Sequence, residues 1–259
     1  MTEVAFVNEE TLQSVAGHCA EISRCNQRGG RMLSLPDLLE AGTVQRDIAA
    51  YCIAAVSAGH SFLVGASPGG AGKTTVMGAM LTFVAPHLRL EAATPEAMAN
   101  SDSLRRCWIC HEIGPGPFYA YLWGEPLRAW FRLAEDGAML ASNLHADTME
   151  EVRRQVVRAN AVRPESLRRI GCVLFLSVRR AAHGVVREVS EVYESDGTRD
   201  HYLLWSRAVG NVAPSALVTS ERLRWASGVL DRLVSDRART IEEVRSVFAE
   251  EYGRLPEDS

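Results

Sequence analysis

One stretch decides the fold of this chain: Ser67-Pro68-Gly69-Gly70-Ala71-Gly72-Lys73-Thr74-Thr75. A short apolar run at residues 61–65 comes before it, and a helix-like run at residues 76–81 follows. A strand, a glycine-rich loop, Gly-Lys-Thr and a helix in this order are typical of a loop that binds phosphate. Small residues let backbone N–H groups turn towards the phosphate oxygens, and the helix directs the positive end of its dipole at them. We therefore predict that a nucleotide is bound by Ser67, Gly69, Gly70, Ala71, Gly72, Lys73, Thr74 and Thr75.

The basic residues of the chain support this prediction. Of the 28 Lys and Arg residues, Lys73 is the one lysine and all the others are arginine. A compact ammonium group on a thin stem fits within a phosphate-binding loop, whereas a planar guanidinium is too wide. Lys73 is predicted to reach the β- and γ-phosphates, and the Thr74 hydroxyl to hold Mg²⁺. The usual pattern has Gly where this chain has Ser67, which is small enough for the turn.

The composition is that of a folded chain with no general attraction for nucleic acid. The 259 residues are 47% hydrophobic and 23% charged, enough to bury a sizeable core. A net charge of −4 and a pI near 6.0 give no overall pull towards nucleic acid or anionic membranes. No apolar stretch has the length of a membrane span, and the first residues lack the pattern of a signal peptide. The six scattered cysteines indicate reduced thiols, so a cytoplasmic location is expected.

Apolar runs alternate with helical patterns through the middle of the chain. This alternation predicts an α/β fold with a mostly parallel sheet flanked by helices. Two later segments read as a closing antiparallel hairpin, and the last part of the chain reads as two amphipathic helices. Short polar residues at 101–103 read as a loop or helix cap. The predicted strands and helices lie at residues 61–65, 88–92, 107–111, 138–144 and 172–178 for the parallel part, 185–193 and 201–205 for the hairpin, and 220–252 for the tail.

Polar residues follow two of the predicted strands. Glu112 comes directly after the strand at residues 107–111, and His145 after the strand at 138–144. Ligands in parallel sheets bind at the carboxyl ends of the strands, so both residues are expected beside the phosphate loop. An acid in this position of a P-loop enzyme handles Mg²⁺, directly or through water, or the attacking water. A simpler alternative stays open for each: a surface acid at a strand end, and a histidine that forms only local hydrogen bonds.

The pair Cys107 and Cys110 has the spacing of a redox or zinc motif, Cys-x-x-Cys. On a strand, however, these two positions point to opposite faces of the sheet. We therefore predict two buried strand cysteines that do not act together.

These stretches together resemble the secretion and pilus-assembly ATPase superfamily, the type II and type IV secretion ATPases, and most of all its archaeal members. The resemblance runs through residues 33–252. The stretch at 67–75 is similar to the family's Walker A motif, and Ile109-Cys110-His111-Glu112 stands in the place of its Walker B motif. The family's histidine box has a similar stretch here, Ser142-Asn143-Leu144-His145-Ala146-Asp147. Residues 35–43 are similar to the family's linker, and residues 186–194 to the strand that closes its core.

The resemblance implies a RecA-like P-loop NTPase core that forms a hexameric ring. Such a ring hydrolyses ATP with Mg²⁺ and powers pilus or archaellum assembly, or protein secretion, at an integral-membrane platform protein. The chain would then act in the cytoplasm or peripherally at the inner face of the cell membrane. The roles implied are general base or water-orienting acid for Glu112, and for His145 a sensor that couples the γ-phosphate to domain movement. The implied domains are a reduced N-terminal region and linker at residues 1–45, the core at 46–210 and a helical C-terminal region at 211–259.

The chain departs from the family pattern in three places. Ala92-Ala93 replaces an acidic pair, which leaves Glu96, with Glu91 as a substitute, as the acid of that box. The segment before Cys107 is shortened, so Arg105 and Arg106 are the remaining candidates to stabilise charge in the transition state. His111 stands where relatives have Gly.

Two alternatives to a motor ATPase therefore stay open. One is a nucleotide-binding regulatory or assembly subunit with weak or no hydrolysis, because the acidic pair and the arginine run are reduced. The other is a DNA-translocating ATPase, which would use a basic stretch that is more often a solvated face or a subunit contact. That stretch contains Arg153, Arg154, Arg158, Arg163, Arg168 and Arg169.

Overall fold

A computed structural model describes residues 9–26, 29–99, 105–181 and 184–255 of the protein. The ends of the predicted terminal regions, residues 1–8 and 256–259, lie outside these ranges. So does the predicted loop at residues 101–103.

Helices and strands alternate along the described chain. The helices are α1 (Glu9–Arg24), α2 (Leu35–Glu40), α3 (Arg46–Ser57), α4 (Lys73–Leu81), α5 (Pro95–Ala99), α6 (Glu125–Glu135), α7 (Met149–Arg153) with a π-helical continuation (Arg154–Ala159), α8 (Pro164–Arg168), α9 (Ser220–Ser235) and α10 (Ile241–Tyr252). The strands are β1 (Ser61–Gly65), β2 (Arg89–Ala92), β3 (Arg106–Ile113), β4 (Tyr121–Leu122), β5 (Met139–Leu144), β6 (Ile170–Ala181), β7 (Gly184–Glu194), β8 (Tyr202–Ser206) and β9 (Gly210–Asn211).

The described strands form one sheet in the order β2-β3-β5-β1-β6-β7-β8-β9, with β4 paired to β3. The pairs from β2 to β6 are parallel, and those from β6 to β9 are antiparallel. Strand β1 lies between β5 and β6, so Val64 is opposite both Asn143 and Leu174. This confirms the predicted fold class: a RecA-like α/β core, mostly parallel, closed by an antiparallel hairpin and followed by two helices.

Apolar side chains fill both faces of the sheet. One layer joins the sheet to α3, α4, α9 and α10 and contains Phe83, Trp205 and Phe248. The other joins it to α6, α7 and α8 and contains Trp108 and Trp130. Burying each such aromatic side chain stabilises the fold by about 2 to 3 kcal/mol.

The two strand cysteines lie on different faces, as predicted. Cys107 packs in the α4 layer and Cys110 in the α6 layer. Burial raises the pKa of the Cys110 thiol to about 12, so it remains a neutral core group. All six cysteines are buried free thiols.

Helices from both ends of the chain pack around the helix that follows the phosphate loop. Helix α1 contacts β2 and α10, and α3 contacts α9. From α10 the buried Arg245 donates hydrogen bonds to the carbonyls of Thr82, at 3.0 Å, and Val84, just beyond the end of α4. A cation is favourable there because the last carbonyls of a helix carry partial negative charge. The exact domain boundaries stay a prediction.

Candidate nucleotide-binding site

The phosphate loop, residues 67–75, connects the end of β1 to the start of α4. Gly70 and Gly72 have φ angles of +79° and +96°, a conformation that side-chain-bearing residues rarely adopt. Ser67 has no positive φ, which explains why a serine can stand where the usual pattern has glycine. The loop therefore has the backbone freedom that its sequence indicated.

Lys73 is the first residue of α4 and is only 7% exposed. Its Nζ donates a hydrogen bond to the Ala66 carbonyl at 2.9 Å and lies 3.4 Å from His145 Nδ1. The ammonium group is thus held between the end of β1 and the end of β5. This position places a fixed positive charge inside the loop.

Glu112 and His145 are in contact beside the loop. His145 Nε2 lies 2.5 Å from Glu112 Oε1, and His145 Nδ1 lies 3.0 Å from the Ser67 carbonyl oxygen. Tyr121 donates a weaker hydrogen bond to the other Glu112 oxygen at 3.4 Å. Glu112 is 9% exposed, whereas half of the His145 side chain is exposed. The His145 imidazole therefore links Glu112 to the phosphate loop, so a movement of the loop can be transmitted to Glu112.

Oxygen donors suited to Mg²⁺ lie next to Lys73. The Asn143 amide donates to the His111 carbonyl at 3.1 Å and lies 3.5 Å from the Thr74 hydroxyl. Asn143 Oδ1 is buried and has no hydrogen-bond partner within the described ranges. A buried unsatisfied oxygen on a side chain that lies beside the Thr74 hydroxyl fits a hydrated hard cation, since Mg²⁺ prefers oxygen ligands and keeps several waters. Thr74 and Glu112 would hold the ion, with Asn143 bonded to one of its waters.

Lys73, Thr74, Glu112 and His145 line an open cleft of about 820 Å³, within the range of ligand-binding sites. One wall is the phosphate loop with the carboxyl ends of β3 and β5. A second wall comes from the segment around α2, including Leu33 and Thr43. The third comes from β7, where Arg187 Nε donates to the Gly70 carbonyl at 2.7 Å.

Sequence reasoning missed four residues of this site: Tyr121, Asn143, Asp147 and Arg187. Asp147 accepts a hydrogen bond from the Ser67 backbone N–H at 2.7 Å. Two signals were present, because a polar Asn143 inside a buried strand and an acid two residues after His145 both require an explanation. Nothing in the sequence distinguishes Arg187 from the other arginines, since its position depends on how the hairpin folds over the loop.

Arg105 and Arg106 do not line the cleft of their own chain, and their role in stabilising charge in the transition state stays a prediction. Arg106 begins β3 and Glu112 is near its end, so about 20 Å of extended strand separates them. Arg106 forms an ion pair with Glu91, and its guanidinium lies 5.8 Å from the centre of the Trp108 ring. Arg105 is exposed beside it.

Glu96 lies in α5, which follows β2, three positions from β1 in the sheet. It is not among the residues that line the cleft. The preceding Ala92 and Ala93 are buried against β3, with the Ala93 N–H bonded to the Ile109 carbonyl at 2.8 Å. Small side chains fit this position, and a catalytic role for Glu96 stays a prediction.

The fold and the loop together define the class of protein: a P-loop NTPase fold of the RecA-like type. Neither the protein-family models nor the curated proteins contain a match. Similar solved structures include the VirB11 ATPase of the Brucella suis type IV secretion system, with sulphate bound. It is 20% identical, with a TM-score of 0.44, over 62% of this chain and 54% of that one.

Two further structures in the comparison are DotB ATPases. That of Yersinia pseudotuberculosis is 11% identical, with a TM-score of 0.42, over 78% of this chain and 60% of its own. That of Legionella pneumophila is 11% identical, with a TM-score of 0.39, over 92% and 63%. This chain therefore spans less than two thirds of each. All three are ATPases, and the first is from a type IV secretion system.

Proposed function

We propose that this chain binds ATP with Mg²⁺ in the cleft and hydrolyses it, as the motor subunit of a secretion or pilus-assembly machine. The observation that carries the proposal is the contact series from Lys73 through His145 to Glu112 at one edge of the sheet. It joins a phosphate-binding cation to a carboxylate through a residue that contacts both.

The geometry supports a division of roles in hydrolysis. Lys73 neutralises charge on the β- and γ-phosphates, while Glu112 orients a water and accepts its proton. Thr74 and Glu112 would hold Mg²⁺, which would offset the negative charge that develops on the phosphates. His145 moves with the γ-phosphate because it contacts both Glu112 and the Ser67 carbonyl.

We further propose assembly as a hexameric ring at an integral-membrane platform protein of a pilus, archaellum or secretion system, on the cytoplasmic side. The sequence resemblance supports this, and so does the open cleft, whose transition-state arginines would come from a neighbouring subunit. Within the described ranges, no helix combines the length and the apolar character that a membrane crossing needs.

A second candidate is a regulatory subunit that binds nucleotide and hydrolyses it weakly or not at all. The observation that favours it is the place of Arg105 and Arg106, far from the cleft of the same chain. The buried Ala92 and Ala93 add to it, because they leave no acid at those positions.

A DNA-translocating function is less well supported. Most of the arginines that suggested it are paired with acids of the same chain, which lowers their attraction for phosphates. The pairs are Arg153 with Asp200, Arg158 with Glu150, Arg163 with Glu135, and Arg168 with Asp200 and Glu165.

The test compares ATP hydrolysis by the wild type, Lys73→Ala and Glu112→Gln. Both variants should be slower by about 100-fold or more, because each removes a charge that the reaction uses. The matched control is Glu221→Gln, which makes the same change at an exposed position of α9 and should keep the wild-type rate. Equal rates of ATP hydrolysis in the wild type and both variants would contradict the proposal that the chain is a motor ATPase. A wild type that binds ATP tightly but turns over no faster than Lys73→Ala would establish the second candidate.

A further inference from the structure

Arg187 reaches across the phosphate loop from the hairpin. It lies on β7, outside the parallel part of the sheet, and its Nε donates to the Gly70 carbonyl at 2.7 Å. A side chain added at Gly72 would meet Arg187 Cδ at 3.6 Å, so the aliphatic stem passes over the second half of the loop. One arginine therefore covers the loop on the side opposite β5.

The rest of this guanidinium faces the cleft. Arg187 is exposed and lines the cleft together with Lys73, Glu112 and His145. Its Nε is bonded to Gly70, and its two amino groups have no hydrogen-bond partner among the described residues. An arginine carries five N–H donors in a rigid fork that matches the oxygens of a phosphate.

We propose that Arg187 binds the terminal phosphate of the nucleotide held in its own chain, as a second fixed cation after Lys73. The inference deepens the proposed function and rests on it. It supplies in the same chain a positive charge that Arg105 and Arg106 cannot supply there.

The position of Gly70 indicates which phosphate Arg187 would contact, namely the terminal one. His145 contacts Ser67, Lys73 and Glu112, and these four residues mark the end of the cleft where the reaction takes place. Gly70 lies in the loop between Ser67 and Lys73, so a side chain anchored on its carbonyl is held at that end. A nucleoside triphosphate offers an anionic group there that a diphosphate lacks.

The experiment measures the affinities of a non-hydrolysable ATP analogue and of ADP, both with Mg²⁺, by calorimetry. The proteins are the wild type, Arg187→Gln, Arg187→Lys and the control Arg180→Gln. Arg180 is an exposed arginine of the same hairpin that does not line the cleft. Arg187→Gln should weaken binding of the analogue by about tenfold or more, the usual effect of losing a hydrogen bond to a charged group. Its effect on ADP should be less than about threefold.

Arg187→Lys keeps the charge without the fork and should recover part of the loss, and Arg180→Gln should bind both nucleotides as the wild type does. Equal losses for the analogue and ADP would mean that Arg187 only positions the loop through Gly70, which overturns the phosphate contact. Wild-type affinities in Arg187→Gln would overturn it as well. A wild type that binds neither nucleotide would overturn the proposed function too, so the two failures are distinguishable.

Discussion

Two of the buried carboxylates in the described part of the chain, Glu194 and Glu112, have opposite surroundings. Glu194, at the end of β7, is fully buried and accepts four hydrogen bonds from its own chain. They come from the Tyr51 hydroxyl at 2.9 Å, the Tyr202 hydroxyl at 2.6 Å, the Ser215 hydroxyl at 2.6 Å and the Ala216 N–H at 2.5 Å. Glu112 has a His145 nitrogen at 2.5 Å and a distant Tyr121 hydroxyl at 3.4 Å.

The number of hydrogen bonds distinguishes an acid that stabilises the fold, Glu194, from an acid that is available for the reaction, Glu112. The donors around Glu194 come from α3, from β8 and from the segment before α9, so this Glu194 cluster ties three parts of the chain together. Burial raises the pKa of Tyr202 to about 12 and also raises the pKa of Tyr51 well above its ordinary value, so both phenols remain donors. Glu112 keeps acceptor capacity that faces the cleft, where water, Mg²⁺ or a nucleotide can use it.

The largest effect is expected when Glu194 and Glu112 are each replaced by leucine and the unfolding of the two variants is measured in urea. Glu194→Leu should lower the free energy of unfolding by about 4 kcal/mol, because it leaves several buried donors without an acceptor. Glu112→Leu should cost less than about 1 kcal/mol, since the half-exposed His145 can bond to water instead.

Similar losses for the two leucine variants would contradict the distinction. If Glu194→Leu does not fold, Glu194→Gln keeps one acceptor oxygen and should show a smaller loss of the same kind. In folded Glu194→Gln, nucleotide binding should stay at the wild-type level.

The sequence placed Lys73, Thr74, Glu112 and His145 together for a physical reason. Each lies at or just beyond the carboxyl end of an apolar strand, and parallel buried strands end at the same edge of a sheet whatever lies between them. The prediction needed only local patterns and that topological rule.

The contacts that the sequence could not predict are those that depend on long-range geometry. Arg106 is close to Glu112 in sequence, but the length of β3 separates them. The Glu194 cluster joins residues as distant as 143 positions apart, and Arg187 meets Gly70 across 117 positions. No periodicity or motif reports such contacts, because they depend on how the hairpin and the terminal helices pack against the core.

The stability of the region around Glu194 is expected to depend on pH, because His201 precedes Tyr202, one of the donors to Glu194. Burial, and secondarily Arg153, lowers the pKa of His201 to about 4, against the hydrogen bond to Ile170 and the charge of Asp200. The unfolded chain takes up a proton below its ordinary value of about 6.5, whereas the folded chain does so only near 4. The stability is therefore fully present above about pH 6.5 and is lost as the pH falls from there towards 4, by about 1.4 kcal/mol per pH unit.

His201→Gln should remove this contribution, so its unfolding free energy should fall less steeply than that of the wild type. Urea unfolding at several pH values between about 7 and 5 measures the two slopes. Identical slopes would mean that His201 is not held neutral in the fold.

The smallest effect is expected at the far end of β3. Arg106 and Glu91 are 19% and 26% exposed, so Arg106→Gln should lower the free energy of unfolding by less than about 1 kcal/mol. The affinity of the isolated chain for ADP and for the ATP analogue should not change, because about 20 Å of strand lies between this residue and the cleft. The same titrations that test Arg187→Gln check this. A loss in Arg106→Gln as large as in Arg187→Gln would mean that distance along β3 does not separate structural charges from nucleotide-binding ones.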